Sequence, residues 1–384
     1  MASPRLPHAN KIPTPTLGKR SIAQPVHLVL DWDGTLTRSD TLSTLAQIAE
    51  TRDKRLGQPH SPAQKWSDFT KAYMDDYQAH KKTHYPSTSS PEDYTRWLAS
   101  LKDVEYASAQ RISDSGFFKG CTTADVDAVA RTAIESGDVR LRKGAFGLFG
   151  LLVGPEPPAG SKLSILSVNF SETWIRRCLH RVSEKLIDPA ALPMFLEALS
   201  RVEIQANEIE GLDSPEGSSG KLVGEIRTAD EKLRHLPQPR AAGEKVIYVG
   251  DSATDYLCLK QGKPGVWICD CPQNRLMEIA METFKPLDCE VLPTGQGKEG
   301  VVDSFWSPDL EAVSKYVAAL LTGSKSELPS LPSRQVQLEC PDSARERACG
   351  QDEWHHFLDQ LTQCQSVEGG TREQNESKPY CQHL

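Results

Sequence analysis

No stretch of this chain strings together the ~20 apolar residues a membrane-crossing helix needs, although 38% of its 384 residues are hydrophobic. A membrane partner is therefore not expected. Cysteine occurs 10 times but scattered. Its tightest spacing, Cys269 and Cys271, is C-x-C, and Cys or His pairs at zinc-ligand spacing are missing. Free thiols in a reducing compartment are expected, rather than zinc or disulfides. Excess positive charge is missing too, since 44 Lys and Arg face 52 Asp and Glu for a formal net charge of −8. That excludes a global basic field for nucleic acid or anionic lipid. An anionic substrate would have to be held locally.

Acidic residues are absent from the first thirty positions, which carry Arg5, Lys11, Lys19 and Arg20 among several Ser and Thr. Such a composition raises a mitochondrial-type transit peptide, but Pro4, Pro7, Pro13 and Pro15 remove the hydrogen bonds of an amphipathic helix. Residues 1–25 read as a disordered leader. The expected location is cytoplasmic, with mitochondrial targeting as the alternative. At the other end, 322–384 is polar and rich in Ser, Pro, Glu and Gln, and reads as a flexible tail in which Trp354–Leu361 could form one short helix. No internal repeat is present, and oligomeric state is not legible.

What is present between those ends alternates. Val26–Leu30 is a short aliphatic run ending at Asp31, as expected of a buried parallel strand. From about Leu42 to Phe149 the pattern is helical, with Leu42, Leu45, Ile48 and Ala49 recurring at helical spacing and Trp66, Phe69, Tyr73 and Tyr77 repeating it. His80–Pro91, rich in Lys, Ser, Thr and Pro, reads as a loop within it. Strand signals return at LSILSV, VEIQANEIE and KVIYVG, with helix signals at SETWIRRCL, where Ser171 is the N-cap, and at ADEKLRHL. Strands alternating with helices predict an α/β fold, a Rossmann-like, doubly wound parallel sheet.

In such a sheet ligands collect beyond the carboxyl ends of the strands. Three predicted strands end in polar clusters: Asp31-Trp32-Asp33-Gly34-Thr35, Ser167-Val168-Asn169, and Gly250-Asp251 through Asp255. Lys232 opens a helix between the second and third. Carboxylates brought together repel unless a divalent cation neutralises them, and all-oxygen ligation suits Mg²⁺ beside a phosphate. Asp31, Asp251 and Asp255 are the candidate donors. Lys232 and the Ser167 hydroxyl would hold phosphate oxygens. In the doublet, one carboxylate can attack phosphorus and the other can move a proton to the leaving alcohol and from water. Gly34 would let the backbone turn tightly. Each feature has an ordinary reading alone: D-x-D-G as a turn, Ser167 as a helix signal, Lys232 as a surface charge with Lys221 as its competitor. Their order argues for one site.

DWDGTLT, SILSV, Lys232 in TADEKL and GDSATD resemble, in order and separation, the four motifs of the haloacid dehalogenase-like superfamily of phosphohydrolases. The likeness spans about residues 26–320. The helical stretch resembles the cap of the branch that includes phosphoserine phosphatase, with LRKGA as its return. The implied division is a catalytic core over 26–40 and 144–321 with a helical cap over 41–143. By that resemblance Asp31 is nucleophile and Mg²⁺ ligand, and Asp33 is general acid/base and ligates Mg²⁺ through its carbonyl. Ser167, Asn169 and Lys232 bind phosphate, Asp251 is the acidic metal residue and Asp255 supports metal or lysine. Trp32 stands where Phe, Leu or Met is commoner, and Asn169 where Gly is frequent. The implied activity is a Mg²⁺-dependent phosphatase acting on a small phosphorylated metabolite through an aspartyl phosphate. A phosphomutase with the same site and a non-catalytic binding protein are the alternatives; an acid at 33 argues against C-halogen hydrolysis. Asp40, Tyr73, Asp76, Tyr77 and Arg142 could face the substrate, although aromatics at helical spacing also suit packing. Trp174 and Trp267 are expected in the core.

Overall fold

The computed structural model describes residues 24–57, 65–87, 90–153, 157–240, 243–262, 264–269, 285–286 and 304–322. The leader up to residue 23, the tail beyond 322 and Cys271 lie outside these. Among the described residues the strands are β1 (Val26–Leu30), β2 (Lys162–Leu166), β3 (Glu203–Gln205), β4 (Glu208–Ile209), β5 (Leu222–Val223), β6 (Lys245–Gly250), β7 (Gly265–Ile268), β8 (Lys285–Pro286) and β9 (Ser304–Ser307). Seven of them form one sheet in the order β3-β2-β1-β6-β7-β9-β8, with every neighbouring pair parallel. The chain steps outward from β1 through β2 to β3, then returns to place β6 on the other side of β1. Strand order therefore reverses between β1 and β6, where ligands bind in open α/β sheets.

Both faces of the central strands are apolar because both are covered. Leu28 and Leu30 of β1 and Ile247 and Val249 of β6 pack with α6 (Ala145–Leu152), α7 (Glu172–Leu186) and α11 (Leu310–Thr322). Val29, Val246 and Tyr248 point the other way, towards α9 (Ala229–His235) and α10 (Tyr256–Gln261). Alternate residues of a strand face opposite sides, so an unbroken aliphatic run requires two covering layers. This is the doubly wound sheet that the alternation of elements predicts.

Besides α6, five helices lie between β1 and β2: α1 (Leu42–Leu56), α2 (Trp66–His84), α3 (Pro91–Ser100), α4 (Lys102–Ser115) and α5 (Thr123–Ser136). α5 packs on both α1 and α7, and Leu45, Ile48, Val126 and Val129 join the apolar cluster under the sheet. α2, α3 and α4 build a separate aromatic cluster, with Tyr73, Tyr77, Trp97 and Val104 meeting Ala229 and Tyr256. Between α7 and β3 runs α8 (Leu192–Ser200).

Two elements differ from their predicted extent. His80–His84 is helical, not loop: α2 runs on to His84, where Lys81, Lys82 and His84 favour the negative end of the helix dipole. His80 also packs its ring on Trp97. VEIQANEIE is two strands. Asn207 sits at the break, its Nδ2 donating to Val168 O at 3.0 Å and Ile226 O at 2.7 Å, so β4 leaves the sheet and pairs antiparallel with β5.

His27 gives the sheet a pH dependence. Its Nε2 lies 2.8 Å from Ser164 Oγ on β2. Burial first, then Lys162, lowers its pKa from 6.5 to about 4, against the opposing pull of Glu244 and Glu203. The unfolded chain gains a proton near pH 6.5 and the native state only near 4, so this contribution to stability is lost as pH falls through that window. The slope is at most about 1.4 kcal/mol per pH unit. Urea unfolding of His27→Gln should show a flatter dependence between those limits than the wild type; identical slopes would refute it.

Candidate active site

The ends of β1, β2 and β6 are in register, with Leu30 beside Ile165 on one side and Val249 on the other. Asp31, Ser167 and Asp251 each follow one of these strands, so the sheet alone brings three of the predicted clusters to one edge. The fourth arrives from α9, whose N-cap Thr228 accepts from Glu231 N. Lys232, fully buried, extends its Nζ to 2.6 Å from Asp255 Oδ1 and 2.8 Å from Asp31 Oδ1. Burial would lower its pKa, but Asp255 and Asp31 outweigh that and hold it above its ordinary value. Lys221, the competitor in sequence, is exposed.

Asp31 is buried, and burial, reinforced by Asp255, raises its pKa to about 7 against the lowering influence of Lys232. The Lys232 ammonium reaches Oδ1 as an ion pair. Among the described residues, buried Asp31 Oδ1 has no hydrogen-bond partner. An oxygen of Asp31, one of Asp251 and one of Asp255 all lie within 4.8 Å of one another. These hard oxygen donors, with an under-satisfied buried oxygen among them and one lysine against several carboxylates, fit a small divalent cation.

The three are not equivalent. Asp255 Oδ1 accepts from Lys232 and the Tyr248 hydroxyl, and Oδ2 from Asp251 N at 3.1 Å and from Ser252 N and Oγ, both at 2.9 Å. Its lone pairs are committed to shaping the GDSATD loop and seating Lys232. Asp251 is half-buried, accepting from the Thr35 hydroxyl, while Trp267 Nε1 donates to its carbonyl at 2.9 Å. Asp255 thus stands behind Asp31 and Asp251, its oxygens already committed to protein groups.

The loop after Asp31 turns at Gly34, with φ +70°. A Cβ there would be strained by that angle and would also collide with the Asp251 carboxylate. Arg142 pins the same loop, donating from Nη2 to Gly34 O at 2.5 Å and from Nε to Thr35 O at 3.3 Å. Arg142 is a brace for the motif. Asp33 Oδ1 accepts from Thr41 N at 2.8 Å and Thr41 Oγ1 at 2.6 Å, and Oδ2 accepts from Asn169 Nδ2 at 2.7 Å. Loss of solvent around the carboxyl raises its pKa, and the Asn169 and Thr41 bonds partly oppose that rise. Asn169, expected at the phosphate, spends its amide on Asp33 and, through Oδ1, on Ser171 N at 3.1 Å. Ser167 is buried and its Oγ accepts from Asn169 N at 3.1 Å.

Of the further candidates, Asp40 is a half-buried carboxyl whose pKa burial and then Asp33 raise to about 8. Tyr73 donates to Glu105 at 2.8 Å and stacks with Tyr77, and Asp76 pairs with Arg111. These three serve packing and surface pairing. Thr41, Tyr248 and Asn207 are contributors that the sequence reading missed. Thr41 had a signal, being a hydroxyl just before a helix, but not the partner it serves. Cys121, Cys178, Cys258 and Cys269 are buried and form no disulfide. Among the described residues no helix is long and apolar enough to cross a membrane.

No protein-family model matches the chain. A CTO1 family protein of Schizosaccharomyces pombe is 23% identical over 242 residues, 60% of this chain and 77% of the relative. Cold tolerance protein 1 of Saccharomyces cerevisiae is 25% identical over 254 residues, 60% of this chain and 74% of that one. Similar solved structures include a substrate-bound phosphoserine phosphatase, 14% identical with a TM-score of 0.35, covering 64% of this chain and 87% of its own. Another is the putative HAD-hydrolase YfnB of Bacillus subtilis bound to magnesium, 16% identical with a TM-score of 0.29, covering 77% and 99%. The fold itself is a parallel α/β sheet with helices on both faces, and residues of the four sequence motifs meet at its switch point.

Proposed function

We propose that this chain is a Mg²⁺-dependent phosphatase of the haloacid dehalogenase type, hydrolysing a small phosphorylated metabolite through an aspartyl phosphate. The observation that carries the reading is Asp31: a buried carboxylate at the switch point, ion-paired to Lys232, with one oxygen lacking a hydrogen-bond partner and a second acid two residues on. Asp31 attacks phosphorus and the bond to the leaving oxygen breaks. Asp33 gives that oxygen its proton, then takes one from the water that cleaves the aspartyl phosphate. Lys232 and Ser167 hold the phosphoryl oxygens. Asp31, Asp251 and the Asp33 carbonyl would hold Mg²⁺, with Asp255 behind them; the ion supplies charge neutralisation between the carboxylates and the phosphate. The segment 41–143 acts as a cap that limits access to small esters and excludes water from the first transfer.

The test is phosphate release from p-nitrophenyl phosphate and from a panel of phosphorylated metabolites, with Mg²⁺ and with EDTA. Release that requires Mg²⁺, fastest for one small ester, is the expected result. Inertness towards every ester, or release indifferent to EDTA, would overturn the reading.

A further inference from the structure

The two residues that depart from the usual motifs, Trp32 and Asn169, converge on one carboxyl. We propose that Trp32, Trp174 and Asn169 are positioning residues which, with Thr41, dictate that Oδ2 of Asp33 carries the working proton. The inference rests on Asp33 being the general acid/base of the proposed phosphatase.

A hydroxyl has one proton and two lone pairs, and an indole nitrogen only donates. Trp32 Nε1 donates to Thr41 Oγ1 at 3.1 Å and Trp174 Nε1 donates to it at 3.0 Å. These two indoles fill both lone pairs, and Asn169 Nδ2 makes a longer third approach at 3.4 Å. The single Thr41 proton is then directed to Asp33 Oδ1, 2.6 Å away, where the Thr41 N–H also donates at 2.8 Å. Oδ1 has no lone pair left.

Oδ2 accepts one bond, from Asn169 Nδ2 at 2.7 Å, and keeps one lone pair. Asn169 cannot turn its amide over without loss, because its Oδ1 accepts from Ser171 N at 3.1 Å. Trp32, Thr41, Asn169 and Trp174 are all buried, so water does not compete for these bonds. A proton on Asp33 therefore sits on Oδ2. It passes to the leaving alkoxide oxygen, which receives the electron pair of the breaking P–O bond. The same oxygen recovers a proton from the water whose oxygen bonds to phosphorus as the aspartyl phosphate is cleaved. A Phe at 32 or 174 would keep the ring and free the Thr41 hydroxyl to rotate.

The experiment uses the full chain with Mg²⁺ and compares kcat/KM for p-nitrophenyl phosphate, whose leaving group needs little protonation, with that for glycerol 2-phosphate, whose leaving group needs it fully. Thr41→Val should lose about tenfold or more on the alkyl ester beyond its loss on the aryl ester, within the range that a positioned acid supplies. Thr41→Ser should restore the wild-type ratio, and the Trp32→Phe, Trp174→Phe double variant should move it as Thr41→Val does. Equal losses on both esters, or Thr41→Ser as impaired as Thr41→Val, would overturn the proposal. If Thr41→Val does not fold, the double Phe variant decides by the same ratio. A wild type inert towards all esters refutes the phosphatase reading alone. In that case the indole N–H NMR resonances of Trp32 and Trp174 decide the geometry, since failure of both to shift in Thr41→Val would refute the hydrogen bonds.

Discussion

Asp31→Asn should abolish phosphate release while leaving the protein folded. Asn keeps the shape of the side chain but cannot form the covalent intermediate, and losing a covalent nucleophile lowers kcat by roughly 10⁶-fold. Asp33 and the phosphate-binding groups remain, so residual turnover would follow the far slower direct attack of water. Stability should move the other way. Asp31 is a buried carboxyl that burial and Asp255 hold at a pKa of about 7, so its charge opposes folding above that pH when metal is absent. Sign and site agree: the Asn variant should melt at or above the wild-type temperature in EDTA at pH 8. Added Mg²⁺ should raise the melting point of the wild type and much less that of the variant. Full turnover in Asp31→Asn would dismiss the nucleophile assignment.

Lys232→Met should have the largest effect on stability. The ammonium is fully buried between Asp31 and Asp255, with nitrogen to oxygen distances of 2.8 and 2.6 Å. Removing it leaves two buried carboxylates facing one another with no cation, and breaking a buried pair in this way costs about 3–5 kcal/mol. Asp255 also loses the partner that ties α9 to the GDSATD loop. A shift of the urea midpoint corresponding to such a loss is expected, along with loss of activity at all substrate concentrations. Lys232→Arg should not rescue activity, because a planar fork cannot replace a point charge in a fully buried slot. A Lys232→Met variant as stable as the wild type would show that the lysine does not hold these two acids.

Much of this site was legible because short-range chemistry wrote it. An aliphatic run ending in Asp31-Trp32-Asp33-Gly34 already implies a buried strand that stops at an acidic turn, and Gly34 does sit at φ +70°, against Asp251. The repeat of strand, polar loop and helix at Ser167 and at Asp251 likewise follows from local pattern. Asn169 and Arg142 were harder. Each was expected near phosphate or substrate, yet each is spent on protein groups: Asn169 on Asp33 and Ser171, Arg142 on the carbonyls of Gly34 and Thr35. A polar side chain announces that it needs partners; its position in the chain does not say which. The helical extension to His84 and the break at Asn207 were missed for a related reason, since both are set by contacts distant in sequence, Trp97 and Ile226.

The sequence by itself determined the alternation of strands and helices, the two-sided burial of the sheet and the acids at the ends of β1 and β6, because propensity, periodicity and side-chain chemistry act over a few residues. Only the tertiary structure decided that Lys232 lies between Asp31 and Asp255, that Asp255 is saturated while Asp31 is not, and that two indoles and one amide converge around Asp33. Those pairings join residues up to 201 positions apart, Asp31 to Lys232. They exist because crossing the strand order at β1 and β6 brings distant chain ends to one edge, where burial makes each polar group find a partner or a cation.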